Sequence, residues 1–337
     1  MFSTLKTANL KTFESTSPLA TFPKGGVGGC AYWKVGYGGT SESVGSEAHV
    51  LSFLNGTHRP TYTRRTSTTR TDPVLACAKK ALGLKASFGI IGSKVESTWK
   101  GIPTMTWEQM KEMATDGQEI TSHGWAHHAV TGLTGEALRY EVQHNDSVIF
   151  QHLGFFPRTY FYPGNRKSDE GVTFCSKNRV GTRMQQGSFG SKRDKPWVQR
   201  TLDRTLKKGE WTVWMTHGIS CGYDAFANPQ LLWETMEKVA GMQDRLWVAT
   251  LHDVLAYTAE RDTIRLDIRK GKNKLTVTPK MALEKRLFNH PLTLVVNGSV
   301  SEAMQNGKHL MLTPKNGKTL IDIDPHGGKI KMKMAAL

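Results

Sequence analysis

Two histidines stand four residues apart in the string His123-Gly-Trp-Ala-His127. Imidazole nitrogens are common ligands of divalent metals, zinc above all. In a helical turn, residues four apart lie on one face, so the two imidazoles could share one metal ion. His128 is adjacent, and clustered histidines are also found simply solvated at a surface. The spacing alone therefore leaves a metal site and a group of surface histidines both open.

The pattern around these histidines alternates short apolar strands with helices, which is typical of a parallel sheet or barrel with helices outside. In such folds the chemistry gathers where the strands end. Asn55, His123, Gly164 and His217 each come directly after a predicted strand, so we expect them at one end of the sheet. His217 follows the apolar run WTVWM. The alternative is that His217 has no role in the chemistry and is only a histidine with its hydrogen bonds satisfied at the end of the strand.

Charge and composition narrow the classes of partner. The chain has 337 residues and a formal net charge of +16, which would suit an anionic partner. However, the Lys and Arg residues are spread along the chain and no nucleic-acid-binding motif is visible, so no nucleic acid is expected as a partner. No apolar run approaches the roughly 20 residues of a membrane span. Four cysteines lie far apart without a C-x-x-C pair, which argues against a zinc ribbon.

The chain divides by composition into three predicted parts. Residues 1–47 show no apolar signal-peptide core, and their Gly- and Ser-rich end is typical of a linker. Residues 48–261 contain the alternating strands and helices. From 262 to 337 the pattern changes to short period-two runs separated by Gly-Lys, Asn-Gly and Gly-Gly turns. The last part is therefore predicted as a small, sandwich-like, all-β domain.

Several strings resemble, in order and spacing, the motifs of the NodB-homology polysaccharide deacetylases, carbohydrate esterase family 4. EITSHGWAHHAVTGLT is similar to the second motif, whose two histidines bind the metal in that family. FFPRTYFYPGN is similar to the third motif, and WTVWMTHGIS to the last one, which delivers one histidine. KALGLKASFGIIG resembles an early strand of the family. The resemblance covers residues 48–261.

The resemblance implies an α/β fold, a distorted (β/α) barrel, that removes N- or O-acetyl groups from a carbohydrate with a divalent metal, zinc being the expected ion. His123 and His127 carry over as metal ligands, and His217 as the general acid that protonates the leaving group. The Gly164 N–H would hold the tetrahedral oxyanion, and Tyr162 would line the site.

Two tryptophans are expected in the substrate pocket by the same resemblance. Trp125 lies between the metal-binding histidines, and Trp197 corresponds to the aromatic residue of the family's fourth motif, although a plain core tryptophan is equally compatible. The family also implies a secreted or periplasmic protein, with an acetylated carbohydrate as its partner.

The first motif departs from the family. Members carry two aspartates in "[ST]-F-D-D-G", one as the base and one as a metal ligand, whereas this chain has Leu54 and Asn55 in those places. Leu54 cannot accept a proton, and Asn55 offers the metal only a neutral carbonyl oxygen. Phe161 also stands where many members carry an arginine that orients the base.

Three explanations of these departures remain open. The chain could be an inactive relative that still binds glycan, or it could borrow another carboxylate, Asp72 or Asp194 being candidates. This segment could also be a local corruption of the sequence, since the match resumes at Lys85. Outside the family altogether, the charge of +16 would fit a structural protein that binds anions.

Overall fold

A computed structural model describes residues 82–99, 102–217, 219 and 223–335, together with the backbone of 49–56. The predicted linker, the helix expected over 73–82 apart from its last residue, and Asp72 lie outside the described residues. The side chains of Leu54 and Asn55 lie outside them as well. The chain divides into two compact units, which within the described residues are 49–254 and 255–335.

In its described part, the first unit contains one parallel sheet and one small hairpin. Its strands are β1 (His49–Gly56), β2 (Ala86–Ile90), β3 (Thr98–Trp99), β4 (Ile102–Pro103), β5 (Glu119–Ser122), β6 (Thr159–Tyr160), β7 (Gly181–Thr182), β8 (Gly187–Ser188), β9 (Trp211–Thr216) and β10 (Leu246–Val248). The sheet has the order β7-β6-β5-β2-β1-β9-β8, and β10 also pairs with β1. Every pairing in it is parallel, whereas β3 and β4 pair antiparallel by themselves.

The strand β2 shows why this sheet is parallel and covered. All five residues of ASFGI are buried, and such strands without alternation need helices on both faces of the sheet. Within the described residues, the helices are α1 (Trp107–Thr115), α2 (Gly135–Arg139), α3 (Asn145–Leu153), α4 (Asp169–Ser176), α5 (Lys195–Lys208), α6 (Gln230–Ala240) and α7 (Leu251–Thr263). The predicted α/β class with a parallel sheet is thus confirmed, while its closure into a barrel stays a prediction.

Local sequence signals explain where several helices begin and end. Thr106 caps α1 as predicted, and it does so in a capping box with Gln109, whose backbone N–H donates to the Thr106 hydroxyl at 3.2 Å. Asp194 caps α5 in the same way by accepting from the Trp197 N–H at 2.8 Å. The helix α5 ends at Lys208, and the next residue, Gly209, caps it with a left-handed φ of 61°.

The long helix predicted over 134–153 is present, but its middle is not α-helical. Tyr140–His144 forms a π-helical turn that joins α2 to α3 without a break, because the residues at both junctions keep right-handed helical angles. Such turns are rare, occur mostly as single turns within α-helices, and are frequent at functional sites.

The second unit is built of antiparallel strands after the end of α7. Its strands are β11 (Arg265–Lys270), β12 (Lys274–Lys280), β13 (Leu292–Asn297), β14 (Val300–Gln305), β15 (Lys308–His309), β16 (Thr313–Lys315), β17 (Lys318–Ile323) and β18 (Ile330–Met334). They form two sheets, β11-β12-β18-β14-β15 and β13-β17-β16, which contribute side chains to one hydrophobic cluster. The predicted boundary at residue 261 and the sandwich assignment stay predictions.

Among the described residues, none of the helices has the length and apolar character needed to cross a membrane. The longest are the composite helix formed by α2, the π-helical turn and α3, and the helices α5 and α7. The helix α5 begins with Lys195 and ends with Lys208, and its outer face carries further charged residues.

Candidate active site

The backbone brings three of the predicted site positions to the same end of the parallel sheet. Asn55, the second-last residue of β1, is in register with Thr216, the last residue of β9, so His217 follows directly beside it. His123 follows β5, and its backbone N–H donates to the Ile90 carbonyl at the end of β2 at 2.9 Å. This is the edge where ligands bind in parallel α/β sheets.

The imidazoles of His123 and His127 lie close together, with ring centroids 4.8 Å apart and planes at 76°. His123 is buried and His127 is exposed. His217 follows the last residue of β9 at the same end of the sheet. The two histidines of the loop are therefore neighbours in space, and the backbone brings the third to the same end of the sheet.

The stretch between the two histidines is a loop, so the prediction of a helical turn there is wrong. Gly124 has a φ of 82° and His127 a φ of 64°, both left-handed, which no α-helix accommodates. The imidazoles approach each other because the loop doubles back on itself, and the spacing of four residues reflects that loop rather than one helical face.

A buried carboxylate from the π-helical turn holds this loop. Both oxygens of Glu141 accept the Ala126 N–H, at 3.1 and 3.2 Å, and one of them accepts the His128 N–H at 2.9 Å. The Glu141 backbone carbonyl accepts the Trp125 N–H at 2.8 Å. Burial raises the pKa of Glu141, and these backbone donors work against that rise by stabilising the carboxylate.

The close packing of this carboxylate explains the glycine within the loop. A Cβ placed on Gly124 would lie 2.2 Å from an oxygen of Glu141. Glycine therefore serves twice at this position, since it adopts the left-handed φ and leaves room for the carboxylate. The sequence motif does not indicate Glu141, because this residue lies on another element, 14 to 18 residues beyond the loop.

Both histidines favour the neutral form that binds metals, and the ring of His123 is also held in one orientation. Burial lowers the pKa of His123 well below its usual value, with the charge of Arg183 next in importance, and burial together with His128 lowers the pKa of His127. The Nδ1 of His123 lies 2.9 Å from the Phe161 carbonyl oxygen. A carbonyl can only accept, so Nδ1 carries the proton of the neutral ring and Nε2 keeps a lone pair.

A divalent metal fits this pair in part. Two neutral imidazoles are suitable nitrogen ligands for zinc, and the backbone carbonyl bonded to Nδ1 of His123 is the usual support for such a ligand. Within the described residues, however, no three His, Cys, Asp or Glu side chains come together around a potential metal position. Further ligands would have to come from Asn55, as predicted, or from residues outside the description.

The cationic side chain of Arg183 is a neighbour that the sequence did not indicate. It is 4% exposed, its guanidinium carbon lies 4.5 Å from the centre of the Phe161 ring, and Nη2 donates to Asn165 at 2.8 Å. Burial lowers its pKa to about 10. Its Nε has no hydrogen-bond partner in the described part of the chain. The positive charge of Arg183 acts on His123 and would also oppose a bound cation there.

Gly164 and Tyr162, which were also predicted for the site, differ in their exposure to solvent. Gly164 is exposed, with a φ of 60°, in the turn after β6. Tyr162 is buried, its hydroxyl donates to Thr182 at 2.9 Å, and burial raises its pKa to about 12. The roles of Gly164 as an oxyanion donor and of Tyr162 as a lining residue stay predictions.

Trp197 is half-buried and packs against a core cluster, with its ring 5.7 Å from that of Phe189 and 5.6 Å from that of Trp214. The Arg193 guanidinium covers it at 4.6 Å. Asp194, the candidate replacement carboxylate, is engaged as the cap of α5. These contacts account for both residues structurally, and a place for Trp197 in the substrate pocket stays a prediction.

A second carboxylate that the sequence did not indicate lies near His217. Asp224 accepts hydrogen bonds from the Ser188 hydroxyl and from Ser191, whose N–H and hydroxyl lie at 3.1 and 2.8 Å. Partial burial opposes its ionisation, but these bonds and the charge of His217 together lower its pKa. It is therefore an anion beside the imidazole predicted as the general acid.

Comparison with known proteins agrees with the motifs. Residues 46–178 match the family model described as polysaccharide deacetylase. This segment includes the first three motifs, and His217 lies beyond it. The resemblance to the polysaccharide deacetylases drawn from the sequence is thus confirmed over this segment. No curated protein matches the chain.

Among solved structures, the chain is similar to the carbohydrate esterase 4 domain of a multidomain xylanase from the hindgut metagenome of Trinervitermes trinervoides, with 16% identity, a TM-score of 0.44, and coverage of 63% of this chain and 92% of that one. It is also similar to a peptidoglycan deacetylase from Bacillus subtilis, with 16% identity, a TM-score of 0.42, and coverage of 65% and 96%. A third is a family pseudoenzyme from Bacillus anthracis, with 15% identity, a TM-score of 0.43, and coverage of 63% and 66%.

Proposed function

We propose that the chain is a metal-dependent hydrolase that removes N- or O-acetyl groups from a carbohydrate. The observation that carries the proposal is the approach of the His123 and His127 imidazoles at the carboxyl edge of the sheet, where His217 also follows β9, in a chain of which residues 46–178 match the deacetylase family model. A divalent metal bound by the first two would polarise an acetyl carbonyl and orient water.

The chain's own residues would orient and protonate. His217 would give a proton to the leaving amine or alkoxide, and Asp224 would stabilise the imidazolium form by its nearby negative charge. Glu141 would hold the loop of His123 and His127, in which Gly124 and His127 have left-handed backbone angles, in place. The Gly164 N–H would face the developing oxyanion.

Metal content tests the site directly. We expect the purified chain to retain zinc after dialysis and the double variant His123→Ala with His127→Ala to lose it, as measured by inductively coupled plasma mass spectrometry. The control is His309→Ala, an exposed histidine of the second unit, which should retain zinc like the parent chain. Zinc retained equally by the double variant would remove the proposed site, and acetate release from acetylated sugar oligomers reports activity separately.

A second candidate function is a glycan-binding protein without turnover on the same fold. Leu54 and Asn55 in place of two aspartates, and the positive charge of Arg183 beside His123, favour it. Loss of the base costs on the order of 10² to 10⁴ in rate. Leu54→Asp with Asn55→Asp should raise acetate release by a comparable factor if the chain is an impaired enzyme. Glycan binding with unchanged, absent turnover in that variant would instead establish the binding protein.

A further inference from the structure

The π-helical turn presents two aromatic rings outward, next to the candidate active site. Tyr140 and His144 stack with ring centroids 4.5 Å apart and planes at 7°. The side chain of Tyr140 is 55% exposed. A single exposed aromatic ring is common on protein surfaces, so a binding role depends on what surrounds this pair.

Trp125 connects this stack to the loop of the two histidines. Its ring meets the His144 ring at 4.4 Å and 70°, so the tryptophan stands at a steep angle to the stacked pair. Both backbone polar groups of Trp125 are hydrogen-bonded. Its N–H donates to the backbone carbonyl of Glu141 at 2.8 Å, and its carbonyl accepts the Ser93 N–H at 3.0 Å. We call Trp125, Tyr140 and His144 the aromatic platform.

The surface beside the platform has the composition of a sugar-binding subsite. An open depression of about 660 Å³ includes Tyr140 and His144, and its other lining residues have polar or small side chains. Those that carry hydrogen-bonding groups are Glu136, Arg139, Gln143 and Ser147. An aromatic face offers contact area to the C–H groups of a pyranose ring, while polar side chains around it suit the hydroxyls.

We propose that the aromatic platform binds a pyranose ring of the carbohydrate chain, next to the residue whose acetyl group lies at His123 and His127. The inference rests on the proposed function and deepens it by adding a subsite. It follows from the position of Trp125, which belongs to the loop of the histidines and also contacts the rings of Tyr140 and His144. Because Glu141 ties that loop to the π-helical turn, the subsite and the histidines are held at a fixed spacing.

A stacked pair at the end of α3 offers a matched control. Phe150, on the helix, and Phe156, in the loop after it, stack at 4.4 Å and 12° and are 44% and 52% exposed. They lie beyond the π-helical turn and are absent from the lining of the depression. Removal of the Phe156 ring changes exposed aromatic area without touching the platform.

Isothermal titration calorimetry of the full chain tests the proposal with two probes, the hexamer of N-acetylglucosamine and acetylated xylohexaose. We expect Tyr140→Ala and His144→Ala each to weaken binding of one of these hexamers about tenfold, whereas Tyr140→Phe retains it within about twofold. Phe156→Ala should bind like the parent chain. Thermal unfolding of each variant verifies that these exposed substitutions leave the fold intact.

The outcomes separate this proposal from the proposed function. Binding that depends on Tyr140 without any acetate release supports the platform and contradicts the hydrolase. Acetate release with unchanged binding and KM in Tyr140→Ala supports the hydrolase and overturns the platform. The platform is also overturned if Phe156→Ala weakens binding as much as Tyr140→Ala, or if the parent chain binds neither hexamer.

Discussion

At the scale of single residues, His123 shows how one contact prepares a side chain for a role. Its Nδ1 is bonded to the Phe161 carbonyl, its burial keeps the ring neutral, and Nε2 keeps a lone pair in a ring whose centre lies 4.8 Å from that of His127. The residue is thus oriented by a carbonyl of the neighbouring strand end rather than by its own loop. Arg183 stacks on the ring of that same Phe161, which brings a fixed positive charge to the site.

We predict a large effect for Gly124→Ala. The new Cβ would meet the Glu141 carboxylate at 2.2 Å, in addition to the strain of a left-handed φ. The backbone strain costs about 1–2 kcal/mol and overpacking about 1–3 kcal/mol, so the free energy of unfolding should fall by roughly 2–5 kcal/mol. Urea unfolding of the variant and the parent chain measures this loss.

Gly154→Ala is the matched control for that substitution. Gly154 also has a left-handed φ, 79°, but nothing lies within 4 Å of its added Cβ. Only the strain of about 1–2 kcal/mol should appear there. If both variants lose the same free energy, the packing of Glu141 against the loop contributes nothing measurable.

The residues that the sequence did not reveal share one property. Glu141, Arg183 and Asp224 reach the site from elements remote in sequence, and none belongs to a motif that was recognised. The histidines were recognisable because a motif places them at fixed spacings after apolar strands. A carboxylate that accepts from the backbone of a distant loop leaves no such spacing, so its role requires the three-dimensional contact.

At the scale of elements, periodicity predicted the strands and helices that hold the first unit together. Apolar runs marked β2, β9 and β10, and the capping residue Thr106 marked the start of α1. The strand predicted over 158–162 is shorter, since only Thr159–Tyr160 pairs in the sheet. The next residues leave the sheet because Pro163 and the left-handed Gly164 begin a turn.

The π-helical turn could not be predicted from propensity, because its residues are ordinary helix residues. Its cause is tertiary. Glu141 reaches into the histidine loop, and Asn145 donates from its Nδ2 to the Ile90 carbonyl at 3.0 Å and to the Ser122 hydroxyl at 2.9 Å. The widened turn allows both side chains of one helix to satisfy polar groups at the end of the sheet.

At the scale of the whole first unit, a second carboxylate joins several elements at the opposite edge of the sheet. Glu119, at the start of β5, accepts from the Ser87 and Thr159 hydroxyls at 2.5 Å each and from the His252 N–H at 3.0 Å. These partners belong to β2, β6 and α7. Burial raises its pKa despite these donors.

This raised pKa predicts a pH dependence of stability. A carboxyl that binds its proton more tightly when folded contributes fully below pH 4.5, and the contribution is lost as pH rises through the folded pKa. Urea unfolding from pH 4 to 7 should show the parent chain losing stability relative to Glu119→Gln as pH increases. Glu112→Gln, at an exposed position of α1, serves as the control. A constant difference between the parent chain and Glu119→Gln would contradict the prediction.

In genetic terms, the π-helical turn is equivalent to one residue inserted into an α-helix. Deleting a single codon within it would therefore restore a regular α-helix and leave the residues that follow facing almost as before, because the widened turn already absorbs the extra residue. Asn145 would stay close to the Ile90 carbonyl. If the deleted codon is that of Glu141, the helix tolerates the shortening but the loop of the two histidines loses the carboxylate that accepts its N–H groups.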